Sequence, residues 1–107
     1  MSHLFGCLEG ISIERTEQLV PLMEQVITKL KLNEVTRAFY QFDPIGTTGV
    51  IVLSESHFSA HTYPESSKVY LDLFCCSKDF KPDKAAQTIQ ETFGAHSFHW
   101  NYINRFS

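Results

Sequence analysis

The sequence predicts an α+β fold: a two-layer sandwich whose mostly antiparallel sheet carries two helices packed on one face. Three observations lead there. Two segments place apolar residues at helical spacing. Six others read as strands. The strands run consecutively in the middle, giving the order β-α-β-β-β-β-α-β with one helix near each end. The 107 residues form a single domain, 1–107, because a second core would leave each half too small to bury enough apolar surface.

Leu4 to Ile13 reads as the first strand, ending before a charged segment. Glu14 to Leu30 reads as a helix, with Leu19, Leu22, Met23, Val26, Ile27 and Leu30 on one face. Ser12 or Thr16 is its expected cap, and Pro21 falls near its first turn or divides it. Val35 to Phe42 is a strand with Val35, Arg37, Phe39 and Gln41 on one face. A loop follows at Asp43-Pro44-Ile45-Gly46. Gly49 to Ser54 is strongly apolar and reads as a central strand covered on both faces. Phe58–Tyr63 and Lys68–Cys76 are strands joined at Pro64-Glu65-Ser66-Ser67. In the second, Val69, Leu71, Leu73 and Cys75 alternate with Lys68, Tyr70, Asp72, Phe74 and Cys76. Pro82 to Phe93 is a helix with Pro at its start and Gly94 past its end, and Ser97 to Ile103 is the last strand.

Composition narrows the function. A net charge of −3 carries no basic footprint for nucleic acid. The longest apolar runs, such as Val50–Leu53, fall far short of the ~20 residues that span a bilayer, so no membrane association is expected. The N-terminus shows no signal-peptide pattern. Cysteines 7, 75 and 76 are an odd set, two of them adjacent, which fits a reducing cytoplasm better than a disulfide-stapled module. The chain has nine Phe, and two helices are expected to cover the sheet incompletely, which suggests a second copy of the chain as partner.

Reactive residues concentrate between Thr47 and Cys76. Three chemistries compete for them. A metal site would use His57 and His61 with Cys75 or Cys76, but no C-x-x-C is present, and the pair His96 and His99 changes strand face, so no metal is expected. A hydrolase triad lacks a Gly-x-Ser-x-Gly elbow. The third chemistry is self-processing at an internal serine.

The segment Glu55-Ser56-His57-x-Ser59-x-His61-Thr62-x-Pro64-Glu65 resembles the cleavage motif of the prokaryotic S-adenosylmethionine decarboxylases, small pyruvoyl-dependent enzymes of spermidine synthesis. The resemblance extends to Phe42-x-Pro44-x-Gly46-x-x-Gly49-Val50 upstream and Asp72-Leu73-Phe74-x-Cys76 downstream. It implies cleavage between Glu55 and Ser56 into a β chain, 1–55, and an α chain, 56–107. The Ser56 hydroxyl would attack the Glu55 carbonyl to make an ester. A base would then remove the Ser56 α-proton and eliminate it, and hydrolysis with loss of ammonia would leave a pyruvoyl group. By the same resemblance His61 is that base, a task suited to imidazole with its ordinary pKa near ~6.5. Thr48 stands where the family more often has a serine that assists processing.

The pyruvoyl cofactor, derived from Ser56, would condense with the substrate amine and take up the electron pair released with carbon dioxide. Cys76 matches the family's proton donor, and thiols, with an ordinary pKa near ~8.5, are mostly protonated at neutral pH. Phe42 matches an aromatic that stacks on adenine, Tyr63 stands in place of a usual Trp, and Glu65 matches a carboxylate for the ribose hydroxyls. Aromatic faces also suit a sulfonium cation. Ser77 replaces a usual Gly. Two other readings stay open: the same machinery acting on ornithine or arginine, and an unprocessed, non-catalytic partner subunit. Ser56 and His61 have opposite strand parity, so a straight strand would point them to opposite faces and a bend or bulge at the scissile bond is expected.

Overall fold

The computed structural model describes residues 1–54 and 56–104. Its strands are β1 (Ser2–Glu9), β2 (Glu34–Gln41), β3 (Thr47–Leu53), β4 (Ser56–Tyr63), β5 (Lys68–Cys75) and β6 (Ser97–Asn104). Its helices are α1 (Thr16–Lys29) and α2 (Pro82–Phe93), and one turn of 3-10 helix spans Pro64–Ser66. The strands form one sheet in the order β2-β3-β4-β5-β1-β6, with every neighbouring pair antiparallel. Both helices pack against the same face, α1 on β2 and β3, α2 on β1 and β6, and against each other. The α+β sandwich is therefore the observed architecture.

Period-two alternation sorts the strand residues between two environments. Leu4, Leu8, Ile51, Leu53, Phe58, Ala60, Val69, Leu71 and Leu73 face the helices and are buried. They meet Leu19, Met23, Val26 and Ile27 of α1 and Ala85, Ala86, Ile89 and Phe93 of α2. Each large side chain buried in this layer contributes roughly 1.5–3 kcal/mol. No described element covers the other face of the sheet.

That open face corrects one expectation. β3 lies between two strands in the hydrogen-bond ladder, but only Thr47, Gly49, Ile51 and Leu53 point into the core. Val52 points away and is 40% exposed, because both helices sit on one side. The first strand also stops early. At Gly10 the chain turns with φ +84°, a left-handed conformation that favours glycine, and leaves the sheet. α1 is capped differently from either expectation: Arg15 is the N-cap, and the Gln18 side chain accepts the Glu14 and Arg15 amides. Ser12 instead donates to the Pro64 carbonyl, and Thr16 bonds Gln41 and Thr47. Pro21 sits inside α1 on an exposed face without dividing it.

The β1–β6 pair tests the packing most sharply. Gly6 lies opposite Trp100, and a Cβ there would fall on the His99 carbonyl oxygen and 2.8 Å from Cα of Trp100. Gly49 lies opposite Phe39, but there the added atom would meet only a partly exposed ring. Gly6→Ala should lower unfolding free energy by about 1–3 kcal/mol, since backbone cannot yield. Gly49→Ala should cost less, since the ring can rotate away. Urea unfolding of the two variants measures the difference.

Candidate functional site

The candidate residues fall into two groups at opposite ends of β4. Ser56 is the first residue of β4, paired with Leu53, the last of β3. Its Oγ donates to the Ser54 carbonyl at 3.2 Å. The ladder between β4 and β5, extended by one residue, sets Ser56 beside Cys75, and Cys76 follows directly. Ser56 and Cys76 both line a cavity of about 240 Å³, with Lys31, Asn33 and Ser77 on its other walls. The turn into β2 is tied to this end by the Ser54 amide, which donates to the Asn33 carbonyl at 3.0 Å. Cys75 is 2% exposed and packs as a core residue at the cavity's edge. Glu55 lies outside the described residues.

The other candidates gather at the far end. Thr48 and His61 are direct cross-strand partners on the open face, and Nδ1 of His61 lies 3.1 Å from Thr48 Oγ1, within hydrogen-bond distance. The residues behind them hold the pair in place. Thr47 is fully buried, takes the Thr62 hydroxyl as acceptor for its amide at 2.9 Å, and donates its own hydroxyl to the Tyr40 carbonyl. Thr48 and His61 belong to a row across the sheet, Tyr40-Thr48-His61-Tyr70. Phe42 makes an edge contact with Tyr40, and Tyr63 with Tyr70, at ring separations of 4.9 and 5.4 Å. Phe42 and Tyr63 each leave about half their surface exposed, 47% and 49%. Gly46, at φ +106°, brings the loop after Phe42 against Thr62 and Pro64. Glu65 is exposed in the 3-10 turn beside them.

The two groups do not meet within one chain. From Ser56 to His61 the strand advances roughly 17 Å at ~3.3 Å per residue. The β3–β4 register runs unbroken from Leu53↔Ser56 to Thr48↔His61, so no bulge reverses the parity. Ser56 shares the face of Phe58 and Ala60, while His57, Ser59 and His61 share the open face.

Between the two ends lies a polar cluster that sequence reasoning missed. Asp72, on β5, accepts hydrogen bonds through Oδ2 from Nε2 of His3 at 2.8 Å and Nε2 of His57 at 3.0 Å, and through Oδ1 from the Ser59 hydroxyl. His57 stacks on Phe74 at 5.8 Å. His57, Ser59 and Asp72 are visible in sequence as same-parity strand positions, but His3 reaches them only through the pairing of β1 with β5. Burial pushes the Asp72 carboxyl up, yet the bonds from Ser59, His3 and His57, with the charge on His57, outweigh it and hold the group below the ordinary carboxylate value.

Comparisons with known proteins show the family of the chain. The profile of the family described as S-adenosylmethionine decarboxylase matches residues 2–106. An S-adenosylmethionine decarboxylase proenzyme of Archaeoglobus fulgidus is 34% identical over 105 residues, covering 98% of this chain and 93% of its own. A proenzyme of the same description from Clostridium botulinum strain Hall is 36% identical over 88 residues, covering 82% and 75%. The crystal structure of the adenosylmethionine decarboxylase from Aquifex aeolicus VF5 superposes with a TM-score of 0.84 at 26% identity, covering 99% of this chain and 94% of that one. A sheet with one open face, and a serine and a cysteine at one cavity, thus occur in a chain that belongs to the S-adenosylmethionine decarboxylase family, a family of decarboxylating enzymes.

The Asp72 cluster gives a pH signature. Its folded pKa is depressed, so its contribution to stability is present above the unfolded value of ~3.9 and is lost as pH falls through the folded value. Asp72→Asn should cost about 1–3 kcal/mol at neutral pH and converge with the parent chain in acid. Denaturant unfolding across the acid limb checks both the size and the convergence.

Proposed function

We propose that this chain is a self-processing, pyruvoyl-dependent decarboxylase of S-adenosylmethionine, whose product would serve as the aminopropyl donor for spermidine. One observation carries the reading: Ser56 and Cys76, far apart in sequence, open into the same cavity. Family membership supplies the reaction class. Ser56 would attack the preceding carbonyl and release chains 1–55 and 56–107, the second beginning with the pyruvoyl group. The strand-leading position of Ser56 beside a cavity of about 240 Å³ fits such a group. Once formed, that group supplies an electron sink. Cys76 would hold the proton that replaces the departing carboxylate at the substrate's α-carbon. His61, with Thr48 at its Nδ1, would take the α-proton during processing. Phe42 and Tyr63 would offer faces to the adenine and the sulfonium, and Glu65 would accept from the ribose hydroxyls. An odd set of three cysteines, two of them adjacent, suits a cytoplasmic setting.

The separation of the two residue groups supports a homodimer as the working unit. Two copies stacked through their open faces would cover Val52, Tyr70 and Ile103, which are 40–49% exposed. A two-fold axis perpendicular to the strands reverses their direction. It would lay the His61 end of one copy over the Ser56 end of the other. Each site would then draw Ser56 and Cys76 from one chain and Thr48, His61, Phe42, Tyr63 and Glu65 from its partner.

Ser56→Ala should abolish cleavage and carbon dioxide release together. Cys76→Ala should still cleave but lose roughly 10²–10⁴-fold in decarboxylation. S-adenosylmethionine should be turned over in preference to ornithine and arginine, and dominant turnover of either amino acid would overturn the substrate. Co-expression of Ser56→Ala with His61→Ala tests the shared site, because only the His61→Ala chain retains a cleavable serine. That chain should be cleaved in the mixed dimer and not alone. If it stays intact in the mixture, His61 does not act across the dimer.

A further inference from the structure

A second cavity, of about 480 Å³, adjoins the one at Ser56. Lys29, Lys31, Lys81 and Lys84 line it. These are four of only six lysines in a chain whose net charge is −3. Among the described residues none of the four side chains forms an ion pair, and the one hydrogen bond from their ammonium groups is Lys29 Nζ donating to Thr92 Oγ1 at 2.9 Å. Asp79 is the single acidic residue on the wall, leaving a surplus of positive charge. Four ammonium groups around one concavity repel one another, and a multivalent anion removes that repulsion. Lys31 stands just past the end of α1, where a left-handed turn at φ +58° closes the helix through the Lys31 and Leu32 amides and turns the chain along the cavity. The floor is apolar, with Leu30, Leu32 and Phe80, so the cavity suits more than a hydrated inorganic ion.

We propose that this cavity is a binding site for a polyphosphate-bearing small molecule, distinct from the Ser56–Cys76 cavity and coupled to it. The coupling is structural. Lys31, Leu32, Cys75 and Ser77 form a wall common to both cavities. An occupant that fixes Lys31 and the chain after Cys75 therefore acts on the side of the cavity that holds Cys76. The site uses no residue assigned to processing or to the substrate, so it stands whether or not the proposed decarboxylation does.

Titration calorimetry on the whole protein tests it with two probes, inorganic tripolyphosphate and adenosine triphosphate. Both carry the same phosphate chain, and only the second can use the apolar floor. Saturable one-to-one binding that weakens with added salt is expected for both, tighter for the nucleotide if the floor takes the base. Lys81→Ala with Lys84→Ala should weaken either by roughly tenfold or more, while the thermal melt confirms that the variant is folded. Lys68→Ala serves as a control, since Lys68 pairs with Glu9 at the other end of β5. It should leave the affinity unchanged. No binding of either probe at millimolar concentration overturns the proposal. So does an equal loss in the Lys68→Ala variant, which would mean diffuse attraction rather than a site.

Discussion

Side chains on β4 alternate between a face packed by two helices and a face that no described element covers, and this alternation governs where the chemistry sits. Even-numbered positions from Phe58 to Thr62 are locked into the core, so the register of the whole strand is fixed. A slip of one residue would expose Phe58 and bury His57. The odd positions, His57, Ser59 and His61, are therefore committed to the open face. Ser56 keeps the core parity but escapes burial because it stands at the strand's end, beside the gap between the turn before β2 and the end of β5.

The same constraint explains how the open face is organised. Antiparallel pairing converts sequence positions into rows that cross the sheet. One row carries Thr48 and His61, the next Ser59 and Asp72, and the third His57, Phe74 and His3. Asp72 stands centrally and receives hydrogen bonds from two of these rows at once. A carboxylate satisfied in this way fixes the rotamers of its donors and gives the middle of the open face a defined polar surface. The aromatic side chains at the His61 end remain half exposed beside it. In the proposed dimer a two-fold axis sets the His61 end of one such face against the Ser56 end of the other.

Much of this was legible in the sequence, for physical reasons that differ by element. α2 was read to its ends, because Pro82 and Gly94 fix a helix start and stop through backbone geometry alone. Cys75 shares the parity of Val69, Leu71 and Leu73 on β5 and is buried with them, while Cys76 is more accessible. The one-sided cover of β3 was not legible: Val50, Ile51 and Val52 are equally apolar, and only the placement of both helices shows which faces outward. The link between His3 and Asp72 was hidden for a related reason. It depends on β1 inserting between β5 and β6, a long-range pairing that local pattern does not report. The opposed parity of Ser56 and His61 was visible, but among the described residues no bulge falls between them, and distance along β4 separates them as well.

The central claim is that the peptide bond between residues 55 and 56 is cut by the chain itself to leave a pyruvoyl group at residue 56. Intact mass of the purified protein under denaturing conditions tests it most directly. The account predicts two chains, 1–55 and 56–107, with the second lacking a free amine and reducible by borohydride. A single species at 12.3 kDa, unchanged after long incubation, would contradict it.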